Sequence, residues 1–355
     1  MNGLKIVVQQ RTEPFAYTKT LQKSSVLDYI HYNKKLKTKL GCMKKYKLAM
    51  FVLSLVILAG IIIYANPVVL ARLWAESNYT YLLVGLGISL VAIVFGVLKW
   101  KVLLKDVSFR EIFPVQLLGW TISNFTPGKA AEPAKAVLLK IRKGVDVSSS
   151  LSSIIWERLT DVIALLIFSA VAISSISATS NFFLAGAVSI IVFSIILVVA
   201  FTVLYSRRFG MKFFRLFRKF PIIKRLPENF MDLFYKVKIK KRNLLKCFAL
   251  AIITWGIEGF ILYFCLGAFG IYVNPLVLAG IVALSVMIGI ASSLPGGLGT
   301  TEVVMTFLLG LNGVESSIAV AASITFRFMT IWFVNLLGGI SFIHMSRKFE
   351  IKKIW

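Results

Sequence analysis

The sequence predicts an all-α membrane protein with many spans, built as an inverted repeat, and three observations carry that expectation. First, 58% of the 355 residues are hydrophobic and the mean hydropathy is +0.82, well beyond ordinary soluble domains. Second, several apolar runs approach the ~20 residues that a helix needs to cross a ~30 Å hydrocarbon core. Third, two stretches inside apolar sequence carry one pattern: Pro127-Gly128, Glu132, Gly144-Val145-Asp146 and Arg158, then Pro295-Gly296, Glu302, Gly313-Val314-Glu315 and Arg327. The spacing from the glycine-valine-acid triplet to the arginine is the same in both copies. About six full spans plus two re-entrant hairpins are expected, or up to eight to ten helices if the hairpin arms cross completely.

The apolar run 48–65 is the first span, followed by a loop from Asn66 to Thr80 with a single Arg72. The run 81–98 is the second and ends on Lys99, Lys101, Lys105 and Arg110. Residues 112–125 and 130–141 flank the break at Thr126-Pro127-Gly128 and are each short for a span, so a re-entrant hairpin is predicted there. Spans at about 152–176 and 182–205 lead to a basic segment. The run 244–269 is the fifth span. Residues 276–293 and 300–311 form the second hairpin, around Pro295-Gly296-Gly297, and 317–345 is the last span. The resulting division is a polar tail, 1–43, and one membrane domain, 44–355. Repeat one covers about 80–205, a basic loop 206–243, and repeat two about 244–345.

Charge supplies the orientation. There are 41 Lys and Arg against 15 Asp and Glu, a net charge of +26. From Arg207 to Lys246 the chain holds 14 basic residues and only Glu228 and Asp232. In a soluble protein this excess would suggest nucleic acid. In a membrane protein the positive-inside rule accounts for it, with attraction to anionic lipid as a second effect, and no nucleic-acid partner is expected. Basic flanks place the first hairpin on the cytoplasmic side, and uncharged flanks place the second outside. That is the inverted-repeat arrangement of many transporters. Both termini and the loop 206–243 are then cytoplasmic, in a multi-pass protein of the cell membrane.

Residues 1–42 lack an apolar face and the apolar core of a signal peptide. Met43 opens Met-Lys-Lys-Tyr-Lys directly before the first span, so the tail is expected to lie upstream of the natural start, the alternative being a solvated cytoplasmic extension. Cys42, Cys247 and Cys265 make no disulfide framework. His31 and His344 are the only histidines, so no metal site is expected, and no cofactor motif is present.

The candidate site follows from the breaks. Pro127, Gly128, Pro295, Gly296, Gly297 and Gly299 interrupt helices where lipid offers no hydrogen-bond partners. A helix restarting after such a break carries roughly half a positive charge at its N-terminus, and two from opposite sides would attract an anion. Glu132 and Glu302 are expected in the first turn after each break, either complementing the helix dipole or binding protons or cationic substituents. A charge at mid-membrane costs at least ~2.5–3.5 kcal/mol, so such residues face the protein interior or water. Arg158 sits three residues before Asp161, and Glu157 four before it, on one helical face. Arg327 has no acidic neighbour within four positions, so its partner must come from elsewhere; an anionic ligand or Glu302 would serve, and Arg158 and Arg327 are expected to hold a phosphate. Glu258 is a further intramembrane acid, with Lys99 the nearest counterpart in the other repeat. Lys129, beside the first break, completes the set of candidate substrate-binding residues.

These residues resemble those of the lysylphosphatidylglycerol synthase transmembrane region, a family of flippase-like membrane proteins of the UPF0104 type. The resemblance rests on Pro127-Gly128-Lys129-Ala130-Ala131-Glu132, on Glu157-Arg158-Leu159-Thr160-Asp161 and on Leu294-Pro295-Gly296-Gly297-Leu298-Gly299-Thr300-Thr301-Glu302. It implies a lipid-translocating domain. A related domain in the bacterial multiple peptide resistance factor moves aminoacylated phosphatidylglycerol between leaflets, beside a soluble aminoacyl-transfer domain that this chain is expected to lack. The expected function is therefore transport of a phospholipid or polyprenyl-phosphate-linked headgroup through a polar groove, with anionic membrane lipids as partners and no enzymatic step. The alternatives are a membrane enzyme acting on lipid-linked phosphate and a small-ion or solute carrier.

Overall fold

A computed structural model of the protein describes residues 48–104, 106–175, 206–217 and 239–349, with a few positions between 191 and 202. The expected tail at 1–43, most of the span at 182–205 and the middle of the basic loop lie outside the described residues. The unit treated below begins at Met50. Its helices are α1 (Leu48–Tyr64), α2 (Pro67–Ala75), α3 (Tyr79–Leu103), α4 (Phe109–Asn124), α5 (Ala134–Lys143), α6 (Val147–Ser175) and α7 (Arg207–Phe217). They continue with α8 (Lys241–Gly267), α9 (Pro275–Ala291), α10 (Thr300–Leu311), α11 (Ser316–Arg327) and α12 (Phe333–Phe349). The all-α membrane class is as expected.

Three helical stretches among the described residues are long and apolar enough to cross a bilayer: Tyr79–Leu103, Lys241–Gly267 and Ser316–Ser346. The last is interrupted by one π-helical turn, Phe328–Trp332, directly after Arg327. Wide turns of this kind occur frequently at functional sites. The pair α1 and α2 would be a fourth span, bent by 78°. A loop was expected where α2 lies. The helix forms because Asn66 accepts a hydrogen bond from the Val68 amide and Pro67 occupies the first helical position. Trp74 then ties it to α11 through Thr325, at 3.0 Å.

The hairpin arms are short. At 1.5 Å per residue, the 16 residues of α4 and the 10 of α5 reach only ~24 and ~15 Å, less than the hydrocarbon thickness. The 17 residues of α9 reach ~26 Å and the 12 of α10 ~18 Å. Each arm is thus shorter than that thickness, which fits the expected re-entrant hairpins. The duplicated glycine-valine-acid triplet is the stop and restart after each hairpin. Gly144, at φ 69°, closes α5, and Asp146 accepts from the Ser149 amide at the start of α6. Gly313, at φ 82°, follows α10, and Glu315 is the N-cap of α11. A left-handed glycine ends a helix without a Cβ penalty, and an acid favours the next N-terminus.

α8 lies along α3, and α9 runs against α6 and α8. The main apolar core gathers Ala172, Ile261, Leu262, Leu278 and Ile281 from these elements and Phe326 from α11. The contact between α6 and α9 depends on Gly280, where an added Cβ would stand 2.3 Å from the Phe168 carbonyl oxygen and 2.7 Å from the Ala172 amide. Both obstacles are backbone, which cannot rotate aside. Gly280→Leu is therefore expected to separate the two helices and lower the unfolding temperature in detergent, whereas Gly60→Leu, facing open space, should change it little.

Candidate functional site

The two Pro-Gly breaks meet. Pro127 and Pro295 form an isolated antiparallel backbone bridge, as two segments related by inversion would. Gly296, at φ 60°, lies so close to hairpin one that an added Cβ would fall 3.2 Å from the Asn124 carbonyl oxygen. Only glycine fits both that conformation and that approach. Asn124 also donates to the Asn335 side-chain oxygen at 3.0 Å, joining hairpin one to α12.

Each repeat places one carboxylate against one arginine through the same atoms. Arg158 Nε lies 3.2 Å from Glu132 Oε1, and Arg327 Nε donates to Glu302 Oε1 at 2.7 Å. A second guanidinium nitrogen of Arg327 donates to the Gly296 carbonyl oxygen. That carbonyl is freed by the break, so Arg327 supplies the partner that lipid cannot. Of the two completions open to Arg327 from sequence, the structure shows Glu302.

Repeat one adds a larger network around α6. Glu157, fully buried, accepts from Lys135 at 2.6 Å and from Arg158 at 3.0 Å. Lys135 reaches Glu132 at 3.2 Å and Gln116 at 3.3 Å, and its ammonium sits 4.6 Å from the centre of the Trp100 ring. Asp161 is bound by Lys99, by Arg158 at 3.0 Å and by Trp255 Nε1 at 3.2 Å. Among the described residues, three acids thus face three cations in this buried network of repeat one, and one faces one in the buried pair of repeat two. With every member ionised each network is neutral. Their burial is compatible with the cost of a lone charge only because each is paired.

A cavity of about 150 Å3 opens beside the crossing. Charged residues from both repeats line it: Lys99, Lys129, Arg158, Asp161, Glu258 and Arg327. Its remaining wall is largely apolar, including Ile93, Trp120, Ile261 and Phe326. Of the lining charges, the side chains of Lys129 and Glu258 make no hydrogen bond or ion pair with any described residue. Arg158 keeps a third of its side chain exposed. Lys129 is held at φ 56°, a region that disfavours side chains by roughly 1–2 kcal/mol. The turn imposes it: the Lys129 amide donates to Thr126 and its carbonyl accepts from Ser123. Local strain of this kind clusters at functional sites.

The family model described as the lysylphosphatidylglycerol synthase TM region matches residues 51–338. The chain belongs to that family. Among its relatives is a UPF0104 membrane protein of Methanothermobacter thermautotrophicus, 25% identical over 321 residues, covering 83% of this chain and 94% of the relative. A UPF0104 membrane protein of Pyrococcus horikoshii is 25% identical over 325 residues, covering 84% and 96%. A further M. thermautotrophicus relative is 24% identical over 356 residues, covering 93% and 99%. The region matched to the lysylphosphatidylglycerol synthase TM family contains both hairpins, both arginine-carboxylate pairs and the whole cavity.

Within that family frame, several sequence expectations change. Lys129, Arg158, Asp161, Glu258 and Arg327 do come together at the cavity. Glu132, Glu157 and Glu302 do not line it, because cations hold them behind its wall. Glu132 is not in the first turn of a restarted helix either. Turns occupy 128–133, Pro133 precedes α5, and Glu132 lies ahead of it. Only Glu302 has the expected place in the first turn of α10. The restarting helix of hairpin two reaches the cavity through Thr301, while hairpin one reaches it through Trp120 and Asn124 of α4 and through Lys129 of the turn, not through α5. Sequence reasoning missed Lys135, Gln116 and Trp100, and treated Lys99 as a topological flank and a positional counterpart of Glu258, not as a partner of Asp161. The i,i+3 spacing of Glu132 and Lys135 was the available signal.

Proposed function

We propose that this protein moves a lipid with an anionic headgroup between leaflets, the headgroup entering the central cavity while its tails remain in the bilayer. One observation carries the reading: an unpaired cation, Lys129, and the exposed part of Arg158 face a cavity at the crossing of two inverted hairpins. A headgroup phosphate needs such donors, and the guanidinium fork suits its geometry. The apolar wall suits the adjoining glycerol and first methylenes. Transport is favoured over lipid-phosphate chemistry because Asp161 is already bound by Lys99, Arg158 and Trp255. Glu258 is then the one lining carboxylate without an ion-pair partner among the described residues, so no pair of carboxylates is free there to act as acid and base.

In this reading the basic segments, including Lys101, Lys143 and both termini, face the cytoplasm, and Asn274 and Asn312 face outward. Single cysteines at these four positions, in a background lacking Cys42, should label from opposite sides in that grouping. Labelling of all four from one side contradicts the inverted arrangement.

The transport test uses proteoliposomes containing fluorescent phosphatidylglycerol and a membrane-impermeant quencher. Lys129→Asn removes the charge but keeps a residue that tolerates the left-handed backbone. It is expected to slow leaflet exchange by tenfold or more, equivalent to about 1.4 kcal/mol or more in the barrier. Lys140→Asn, on the exposed side of α5, should exchange lipid as the parent does. Parent-like exchange by a folded Lys129→Asn protein would remove the cavity from the account.

A further inference from the structure

Glu258 is the remaining unexplained charge, and its surroundings assign it a task. It projects from α8, which packs against α3, α6, α9 and α11. The charged groups that share the cavity with it are Lys99 from α3, Lys129 from hairpin one, Arg158 and Asp161 from α6, and Arg327 from α11. From α9 only Val286 and Ile290 line the space. On its own helix Cys265 is fully buried two turns away. Arg158 and Arg327 are committed to carboxylates, and Lys99 and Asp161 to each other. Among the described residues, the cavity is therefore left with one uncommitted cation, Lys129, and one uncommitted acid, Glu258.

That pairing has a consequence for any anion that enters. With Glu258 ionised, the two uncommitted charges cancel and an incoming phosphodiester makes the site net negative. With Glu258 protonated, Lys129 is uncompensated and the same phosphodiester makes it neutral. In a water-poor site the second state is favoured, because an uncompensated charge is costly there. We infer that Glu258 is a proton-binding site whose occupancy admits the anionic headgroup, so that one proton accompanies each lipid into the cavity. The proton comes from water and resides on a Glu258 carboxylate oxygen, no covalent bond of the lipid changes, and both leave together. The inference rests on the headgroup reading above and supplies a coupling ion for it.

The test is calorimetric titration of the full-length protein in detergent with short-chain phosphatidylglycerol, in buffers of different ionisation enthalpy. The phosphodiester stays ionised throughout, so protons taken up belong to the protein. In alkaline buffer the parent should take up about one proton per lipid bound, and its affinity should fall by about tenfold per pH unit. Glu258→Gln should bind with little proton uptake and little pH dependence, and Glu258→Asp should retain the uptake. Binding by the parent with no proton exchanged at any pH, or parent-like uptake by Glu258→Gln, overturns the inference while leaving the headgroup reading standing. No binding of the lipid to parent or to Glu258→Gln overturns both. Phosphatidylethanolamine that binds the parent without proton uptake and is lost in Glu258→Gln would make Glu258 an ammonium contact instead, and overturns the proton role.

Discussion

Replacing Arg327 with methionine is expected to destabilise the protein by about 3–5 kcal/mol, the range seen when one member of a buried ion pair is removed. The substitution strands two groups at once. Glu302 is 1% exposed and would lose the cation at its Oε1. The Gly296 carbonyl, freed by the break, would lose its donor. Protonation of Glu302 would recover part of the charge cost and none of the carbonyl's. Thermal unfolding in detergent, followed by size-exclusion fluorescence, measures the loss. Adding Glu302→Gln to Arg327→Met should recover most of it by removing the uncompensated acid. Arg327→Lys should fall between, since a point charge can serve one of the two acceptors but not both in the same geometry. A single methionine variant as stable as its parent would show that the arginine does not hold the break.

Lys135→Met is the second large effect. The lysine is completely buried beneath α6, and its ammonium is shared by Glu132, Glu157 and Gln116 over the Trp100 ring. Removing it leaves three acids facing two cations, Lys99 and Arg158. A destabilisation of about 3–5 kcal/mol is expected again, with a diagnostic difference from Arg327. Because Arg158 would be drawn toward the deficit, lipid exchange should fall even at temperatures where the variant remains folded. Lys135→Met with Glu157→Gln should regain stability, because the charge balance is restored. A folded, stable Lys135→Met protein with unchanged exchange would mean that the network neither supports the fold nor positions Arg158.

The contrast between these two residues shows what could be read from sequence. Arg327 was legible because its spacing from Gly313-Val314-Glu315 copies that of Arg158 from Gly144-Val145-Asp146, and a repeated charge in apolar sequence has few innocent explanations. Lys135 was not. It lies in an arm that also carries Lys129, Lys140 and Lys143, where the positive-inside rule explains every lysine equally well. Only the packing of α5 against α6 separates the buried lysine from the exposed ones. Lys99 was obscured for the same reason, since its partner Asp161 lies 62 positions away. The helix α2 was hidden by its shortness, although Asn66-Pro67 carried its start signal. Glu132 was misplaced because Pro-Gly marks where a helix ends, and says nothing about how many turn residues precede the next one.

The division of labour among the carboxylates was also beyond sequence. Glu132, Glu157, Glu258 and Glu302 are alike as intramembrane acids, yet three are neutralised by cations behind the cavity wall and the fourth faces the space unpaired. Spacing along a helix constrains which charges share a face. It does not say whether that face meets a cation from another element or an open cavity.

The central claim is that an anionic headgroup occupies the cavity where the two repeats cross. The most direct measurement is photo-crosslinking of nanodisc-embedded protein with phosphatidylglycerol bearing a photoreactive headgroup, with the adducts mapped by mass spectrometry. The account predicts adducts on peptides from both repeats, around Lys129 and Arg158 and around Thr330, which also lines the cavity, suppressed by unlabelled phosphatidylglycerol and weakened in Lys129→Asn. Adducts confined to the basic segment from Arg207 to Lys246, unchanged in Lys129→Asn, would contradict it.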